Sequence, residues 1–245
     1  KRNQSNFIMK FSPSFLIILW FLCSSQIQAK RLFLLSGQSN MQGHRPAEEF
    51  TPLIEKAYGK ENVIILQHAI GGKPIHRWWK GWKTPDGNKP EELGDIYDDL
   101  IKKTFPLIKG EKLESICFLW MQGERDARTG WGNLYEDALF GLHAQLARDL
   151  QWKPEELIFV IGRLSDLDLE NKKYPHWTKV RGIQSKVTAQ KANWHLVNTD
   201  DLNDGINRKG RMINNDLHYS ADGYKILGQR FAKSCIEAIS NAKKP

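Results

Sequence analysis

The chain has 245 residues, 40% of them hydrophobic, with 36 Lys and Arg against 28 Asp and Glu and a formal net charge of +8. Those charges are interspersed rather than gathered in blocks, which speaks for a solvated surface and against a nucleic-acid partner. Of the three cysteines, Cys117 lies in an apolar run and Cys235 in the last helical stretch, placements that suit buried small side chains and not a disulfide framework.

At the N-terminus, Lys10 precedes an apolar run over residues 15–23, followed by Ser24, Ser25, Gln26 and then Ala29. A charged start, a short apolar core and a small-residue cleavage site read as a secretory signal peptide, with translation starting at Met9. The run is shorter than the about 20 residues a membrane-spanning helix needs, so no stable membrane insertion is expected after cleavage. A retained anchor is the alternative. Residues 1–29 are therefore set aside, and 30–245 are expected to form one α/β domain of an exported protein, periplasmic or extracellular. Loss of Lys1, Arg2 and Lys10 lowers the net charge to +5.

From there, apolar runs of strand length alternate with helical periodicity. Strands are expected at 31–36, 62–67, 115–121, 157–162 and 194–198. Continuous apolar character, as in Val63-Ile64-Ile65-Leu66, is expected where helices cover both faces of a sheet. The clearest helix runs over 134–150, with Leu134, Ala138, Leu142, Leu146 and Leu150 spaced by four and Asn133 as its cap. The last helix begins after Ser220, another capping residue. Alternating strands and helices predict a parallel three-layer α/β/α sandwich, whose ligands sit outside the carboxyl ends of the strands. The irregular stretches 36–43, 68–90, 122–132, 164–174 and 199–219 all fall at those ends.

In that setting Ser39 stands out. A serine in a strand-to-helix turn can present its hydroxyl and its own amide at the open sheet edge, although Ser also caps helices routinely. Gly37 permits a tight turn, and Gln38 and Asn40 add polar groups that a cap alone does not need. The Gly-x-Ser-x-Gly elbow is absent, because position 41 is Met, which disfavours a lipase-type α/β-hydrolase. His218 follows Asp216 by two residues, close enough for the acid to orient the imidazole while the ring takes the serine proton. Paired Gly71 and Gly72 let an amide approach a substrate, and Gln122 could donate to a developing oxyanion beside the Ser39 and Gly72 amides.

Taken together, Gly-Gln-Ser-Asn-Met at 37–41, Ala-Ile-Gly-Gly at 69–72, Trp-Met-Gln-Gly-Glu-Arg-Asp-Ala at 120–127 and Asp-Leu-His at 216–218 resemble the SGNH (GDSL-like) hydrolase superfamily. Within it the chain resembles the sialate O-acetylesterase and acetylxylan esterase branch of carbohydrate esterases, from about Arg31 to the final helix. The resemblance implies a flavodoxin-like sheet of about five parallel strands, and neither metal nor cofactor. By it Ser39 is the nucleophile, His218 the general base, Gly72 an oxyanion-hole contributor and Gln122 a polar group of the third motif; Gln38, Asn40 and Glu124 are expected near the substrate. One departure stands: relatives carry the acid three residues before the histidine, where this chain has Asn215. Asp216 is the expected orienting acid, with Asn215 or a carbonyl as the alternative.

The aromatic residues bear on substrate. Trp78, Trp79 and Trp82 follow the paired glycines and Trp131 follows Gln-Gly-Glu, so Trp78 and Trp131 are candidates for stacking on a sugar, with core packing as the competing role. Arg77, Arg125, Arg163 and Arg181 could bind a carboxylate, or instead form salt bridges with Glu124, Asp126 or Asp166. The expected function is an exported serine esterase that removes acetyl groups from a carbohydrate of the acetylxylan or O-acetylated sialic acid type, through an acetyl-enzyme on Ser39. Alternatives are a non-catalytic carbohydrate-binding protein, or a lipase, thioesterase or acyltransferase on the same scaffold.

Overall fold

The computed structural model describes residues 28–242; of the expected N-terminal extension and signal segment at residues 1–29, residues 1–27 lie outside them. Among the described residues no helix is long and apolar enough to cross a membrane. The strands β1 (Lys30–Gly37), β2 (Val63–Ala69), β3 (Leu113–Met121), β4 (Leu157–Gly162) and β5 (Trp194–Val197) form one sheet in the order β2-β1-β3-β4-β5. Every pairing in it is parallel. All five expected strands are present, with ends shifted by at most two residues.

The helices are α1 (Ser39–Gly43), α2 (Phe50–Tyr58), α3 (Asp95–Ile108), α4 (Glu124–Thr129), α5 (Gly132–Asp149), α6 (Trp177–Gln190) and α7 (Ala221–Ala242). One layer is made by α2 against α7, the other by α5 against α6. The Tyr97 hydroxyl of α3 ties that helix to α5 by donating to Asp149 at 2.7 Å. The inner strands explain the unbroken apolar runs: every residue of β4 is buried, and so are the last seven of β3. Both faces are covered, so alternation with polar residues would strand polar groups in the core.

Two helix starts show what local sequence decides. Ser220 caps α7 as expected, its hydroxyl accepting the Gly223 amide at 3.0 Å. Asn133, by contrast, is not a cap: α5 begins one residue earlier, behind Trp131, and the Asn133 carbonyl oxygen of the side chain accepts Lys179 Nζ from α6. A short antiparallel hairpin, β6 (Gly205–Ile206) with β7 (Met212–Ile213), lies between β5 and the Asp216 loop. Two-residue strands carry no periodicity for a sequence to show.

Register fixes where the loops gather. Gly37, the last residue of β1, lies level with Ala69 at the end of β2 and Met121 at the end of β3. Three chains therefore leave the sheet at one height, which brings Ser39, Gly71 and Glu124 to the same edge.

Candidate active site

The serine turn is built on Gly37. Its φ is +144°, and a Cβ there would fall 2.0 Å from the Met121 carbonyl oxygen, so only glycine lets β1 and β3 lie this close as the chain turns. The Gln38 amide then donates to Met121 O at 2.9 Å, and α1 starts at Ser39. The first amides of a helix lack intrahelical partners, so the Ser39 N–H is a free donor beside its own hydroxyl.

Ser39 and His218 line one cavity of about 270 Å³ together with Gly71, Gly72, Glu124 and Arg125. Gln38, Arg128, Tyr174 and Leu217 complete its wall. A larger cavity of about 540 Å³ lies at the opposite, amino ends of the strands, among Ser115, Ile158 and His195. Ligands of parallel sheets bind at carboxyl ends, and the smaller cavity is the one that holds Ser39.

The glycine loop lies against the serine, since a Cβ on Gly71 would come within 3.5 Å of Ser39 Cβ. The Gly71 amide is occupied by Gln42 Oε1 at 3.0 Å, whereas no acceptor among the described residues takes that of Gly72. Arg125 Nε donates to the Gly72 carbonyl at 2.7 Å and clamps the loop from the other side.

His218 is held differently. Its side chain is 49% exposed, and Nδ1 stands 3.9 Å from Asp216 Oδ1, a salt-bridge distance beyond hydrogen bonding. The same carboxylate oxygen accepts the His218 backbone amide at 2.9 Å, which pins the loop more than the ring. Asn215 is turned away: its side chain donates to Leu167 O at 3.1 Å and accepts from Asn203 Nδ2 at 3.0 Å. Its φ of +46° makes the bend that separates it from His218. Of the two candidates for orienting the ring, Asp216 is therefore the one within reach.

Several residues named from the sequence are placed elsewhere. Gln122 is fully buried, and its amide nitrogen donates to Asp126 Oδ2, Lys73 O and Gln38 Oε1 at 2.5, 3.1 and 3.3 Å. It braces the loops from behind and is not aimed at an oxyanion. Asn40 is also buried, and donates through Nδ2 to Glu124 Oε1 and to the Leu217 carbonyl, both at 3.0 Å. Its own oxygen accepts the Tyr224 hydroxyl at 3.1 Å. Asn40 is thus the tie between the serine turn and the histidine loop, not a substrate contact. Gln38 lines the cavity, but its oxygen is committed to the Arg125 amide and to Gln122.

The tryptophans are corrected in the same way. Trp78 is fully buried, meets Trp120 edge to face and donates to Ser36 Oγ at 2.9 Å. Trp131 packs on His76 and Trp82 and does not reach the cavity. Indoles in this loop cover the sheet edge, which is where their large apolar area is worth most.

Two carboxyls sit under the site. Burial raises Glu124 to about 7, against the opposing hydrogen bond from Asn40, and raises Asp126 to about 7, against bonds from Gln122 and the Ile75 amide. Arg128 and Tyr174 of the cavity wall escaped sequence reasoning. Arg128 was within reach of it, being three residues after Arg125 and so on the same helical face.

A family model described as carbohydrate esterase, sialic acid-specific acetylesterase, matches residues 45–237, a range that begins after Ser39 and takes in Gly72, Glu124 and His218. No curated protein matches by sequence. Among solved structures, a protein of Arabidopsis thaliana superposes with a TM-score of 0.60 at 19% identity, covering 87% of this chain and 99% of that one. A carbohydrate acetylesterase from Xanthomonas citri gives 0.59 at 16% identity over 86% of this chain and 57% of its own. A family 3 carbohydrate esterase from Clostridium thermocellum gives 0.50 at 16% identity, covering 88% of this chain and 100% of that one. At these identities the likeness is one of fold, the three-layer α/β/α sandwich of SGNH hydrolases.

Proposed function

We propose a reaction and a substrate class for this chain, which belongs to the sialic acid-specific acetylesterase family of carbohydrate esterases: it removes O-acetyl groups from a carbohydrate through an acetyl-enzyme on Ser39. The observation that carries this is the joint presence of Ser39, His218 and the Gly71–Gly72 loop in one cavity at the strands' carboxyl ends.

Ser39 Oγ attacks the acetyl carbonyl while His218 takes its proton. The Ser39 and Gly72 amides meet the developing oxyanion, and removal of one such donor typically costs about 100- to 1000-fold in rate. Collapse of the tetrahedral intermediate breaks the ester bond, and His218 returns the proton to the departing sugar oxygen. His218 then activates a water that attacks the acetyl-serine, releasing acetate and restoring Ser39. Asp216 stabilises the imidazolium at each turn of this cycle, which asks its carboxylate to close on Nδ1. The charged, apolar, then small order of residues 10–29 supports export.

A non-catalytic sugar-binding role loses its main support because Trp78 is buried and Trp131 packs on His76 and Trp82 away from the cavity. The test is hydrolysis of 4-nitrophenyl acetate and of acetylated sugars by the purified protein beside Ser39→Ala. An inert wild type, or a Ser39→Ala protein of full activity, removes the mechanism.

A further inference from the structure

The histidine loop continues from the β6–β7 hairpin, and that hairpin is closed at both ends. At its base the Asn215 amide donates to Asp204 Oδ1 at 2.6 Å. At its turn the Asn207 side-chain oxygen accepts the Lys209 and Arg211 amides at 3.0 and 3.1 Å. A two-stranded hairpin is marginally stable by itself in water, so something must hold it. Arg208, in the turn, does so: its two terminal nitrogens donate to the two oxygens of Glu48, each at 2.7 Å, across 160 positions of chain. A bidentate pair of this kind fixes direction as well as distance. Glu48 ends the tight turn Pro46–Glu48 that follows α1, so the pair fastens the hairpin leading to His218 onto the segment leading away from Ser39.

The same guanidinium lies over the Tyr224 ring, 5.3 Å from its centroid. The ring is seated tightly against α1, since a Cβ on Gly43 would fall 2.5 Å from the Tyr224 oxygen. Burial raises the Tyr224 hydroxyl to about 12, so at neutral pH it is a donor, and Asn40 Oδ1 accepts it at 3.1 Å. That bond decides which way the Asn40 amide is turned: with Oδ1 taken, Nδ2 is left to donate to Glu124 and to the Leu217 carbonyl. We propose that Arg208 is a positioning residue for His218: clamped by Glu48, it holds the hairpin and the Tyr224 ring in place, and through them the Leu217 carbonyl and the imidazole beside it. Arg208, Glu48 and Tyr224 do not line the Ser39 cavity, so their effect falls on the chemical steps and not on substrate binding. This rests on the esterase reading above and adds the parts that seat its base.

The test compares Arg208→Gln, Glu48→Gln and Tyr224→Phe with wild type on 4-nitrophenyl acetate, well below the melting temperature of each protein. Each should lower kcat by about tenfold, because a displaced catalytic group slows the reaction it serves. His218 acts in both acylation and deacylation, so both steps slow alike and KM should stay within about twofold. Arg208→Gln and Glu48→Gln combined should lose no more than either alone, because the two side chains act as one unit. Arg208→Lys keeps the charge without the fork and should restore part of kcat. A lower melting temperature with kcat unchanged overturns the proposal, as does a loss expressed in KM or additive losses from Arg208 and Glu48. Hydrogen exchange of the peptide covering residues 203–220, read by mass spectrometry, tests the seat without turnover: Arg208→Gln should speed exchange of the Asp216 and His218 amides at least tenfold. Faster exchange in a protein whose wild type hydrolyses no ester would uphold the seat and remove the esterase mechanism. Unchanged exchange would overturn the seat even if acetyl esters are cleaved.

Discussion

The two halves of the candidate site are built on opposite plans. The serine half stands on the sheet: Gly37, Gln38 and the Gly71–Gly72 loop are fixed by register, by a backbone bond to Met121 and by the Arg125 clamp. The histidine half hangs on an exposed loop, with His218 and Asp216 side chains 49% and 44% exposed and their closest approach at 3.9 Å. What joins them is Asn40, one buried amide that reaches the carbonyl just before His218. A nucleophile and oxyanion donors gain from rigidity because the oxyanion must find its donors already in place. A base that serves four proton transfers can tolerate a looser seat, provided its anchor holds.

The largest test of this contrast is Ser39→Ala. It should lower kcat on acetyl esters by about 10⁴-fold or more with the melting temperature unchanged, because the group removed makes no hydrogen bond among the described residues. Asn40→Ala tests the joint. It strands Glu124 and the Tyr224 hydroxyl in the interior, so chemical denaturation should show a loss of about 1–3 kcal/mol. Release of the Leu217 carbonyl should also lower kcat by about 100-fold. Loss of stability with full activity would mean that the histidine loop seats itself without Asn40.

The buried acids under the joint predict a pH dependence. Glu124 in the folded protein titrates at about 7 against 4.5 unperturbed, so the native state holds a proton that the unfolded chain releases. Its contribution to stability is full below about pH 4.5 and declines until about pH 7. Glu124→Gln removes that decline, so its stability relative to wild type should improve by about 3 kcal/mol as pH rises across this window, read from denaturant midpoints. A constant difference between the two proteins at all pH values would show that Glu124 is ionised in the fold.

The smallest effects concern the loose half. Asp216→Ala should cost about tenfold in kcat, far below the about 10⁴-fold seen when a tightly held triad acid is altered. Asn215→Gly, which keeps the positive φ, should change kcat by less than about twofold because Asn215 faces Leu167 and Asn203. A larger effect at Asn215 than at Asp216 would reverse the assignment of the orienting residue.

Residues whose role follows from local chain geometry were readable without a structure. Ser220 caps because a hydroxyl before a helix has its acceptor geometry given by the turn itself, and Ser39 stands at a strand's carboxyl end because the apolar run stops just before it. Asn133 failed that reasoning because Trp131 packs on His76 and Trp82 and starts the helix earlier. Gln122 failed because a long amide can point outward or inward, and only the placement of Asp126 and the Lys73 carbonyl turned it in.

By itself, the sequence determined a parallel three-layer α/β/α sandwich, with its strands placed to within two residues at either end, and the edge where the polar loops collect. Apolar runs covered on both faces leave no other arrangement that satisfies the backbone. Tertiary structure alone decided which of the expected site groups turn away from the cavity: Asn40, Gln122 and Trp78 lie behind it. The reason is distance along the chain. The bond from Asn40 to Leu217 joins residues 177 positions apart, and which atoms meet across such a gap is set by the packing of the whole sheet edge and not by any neighbour in sequence.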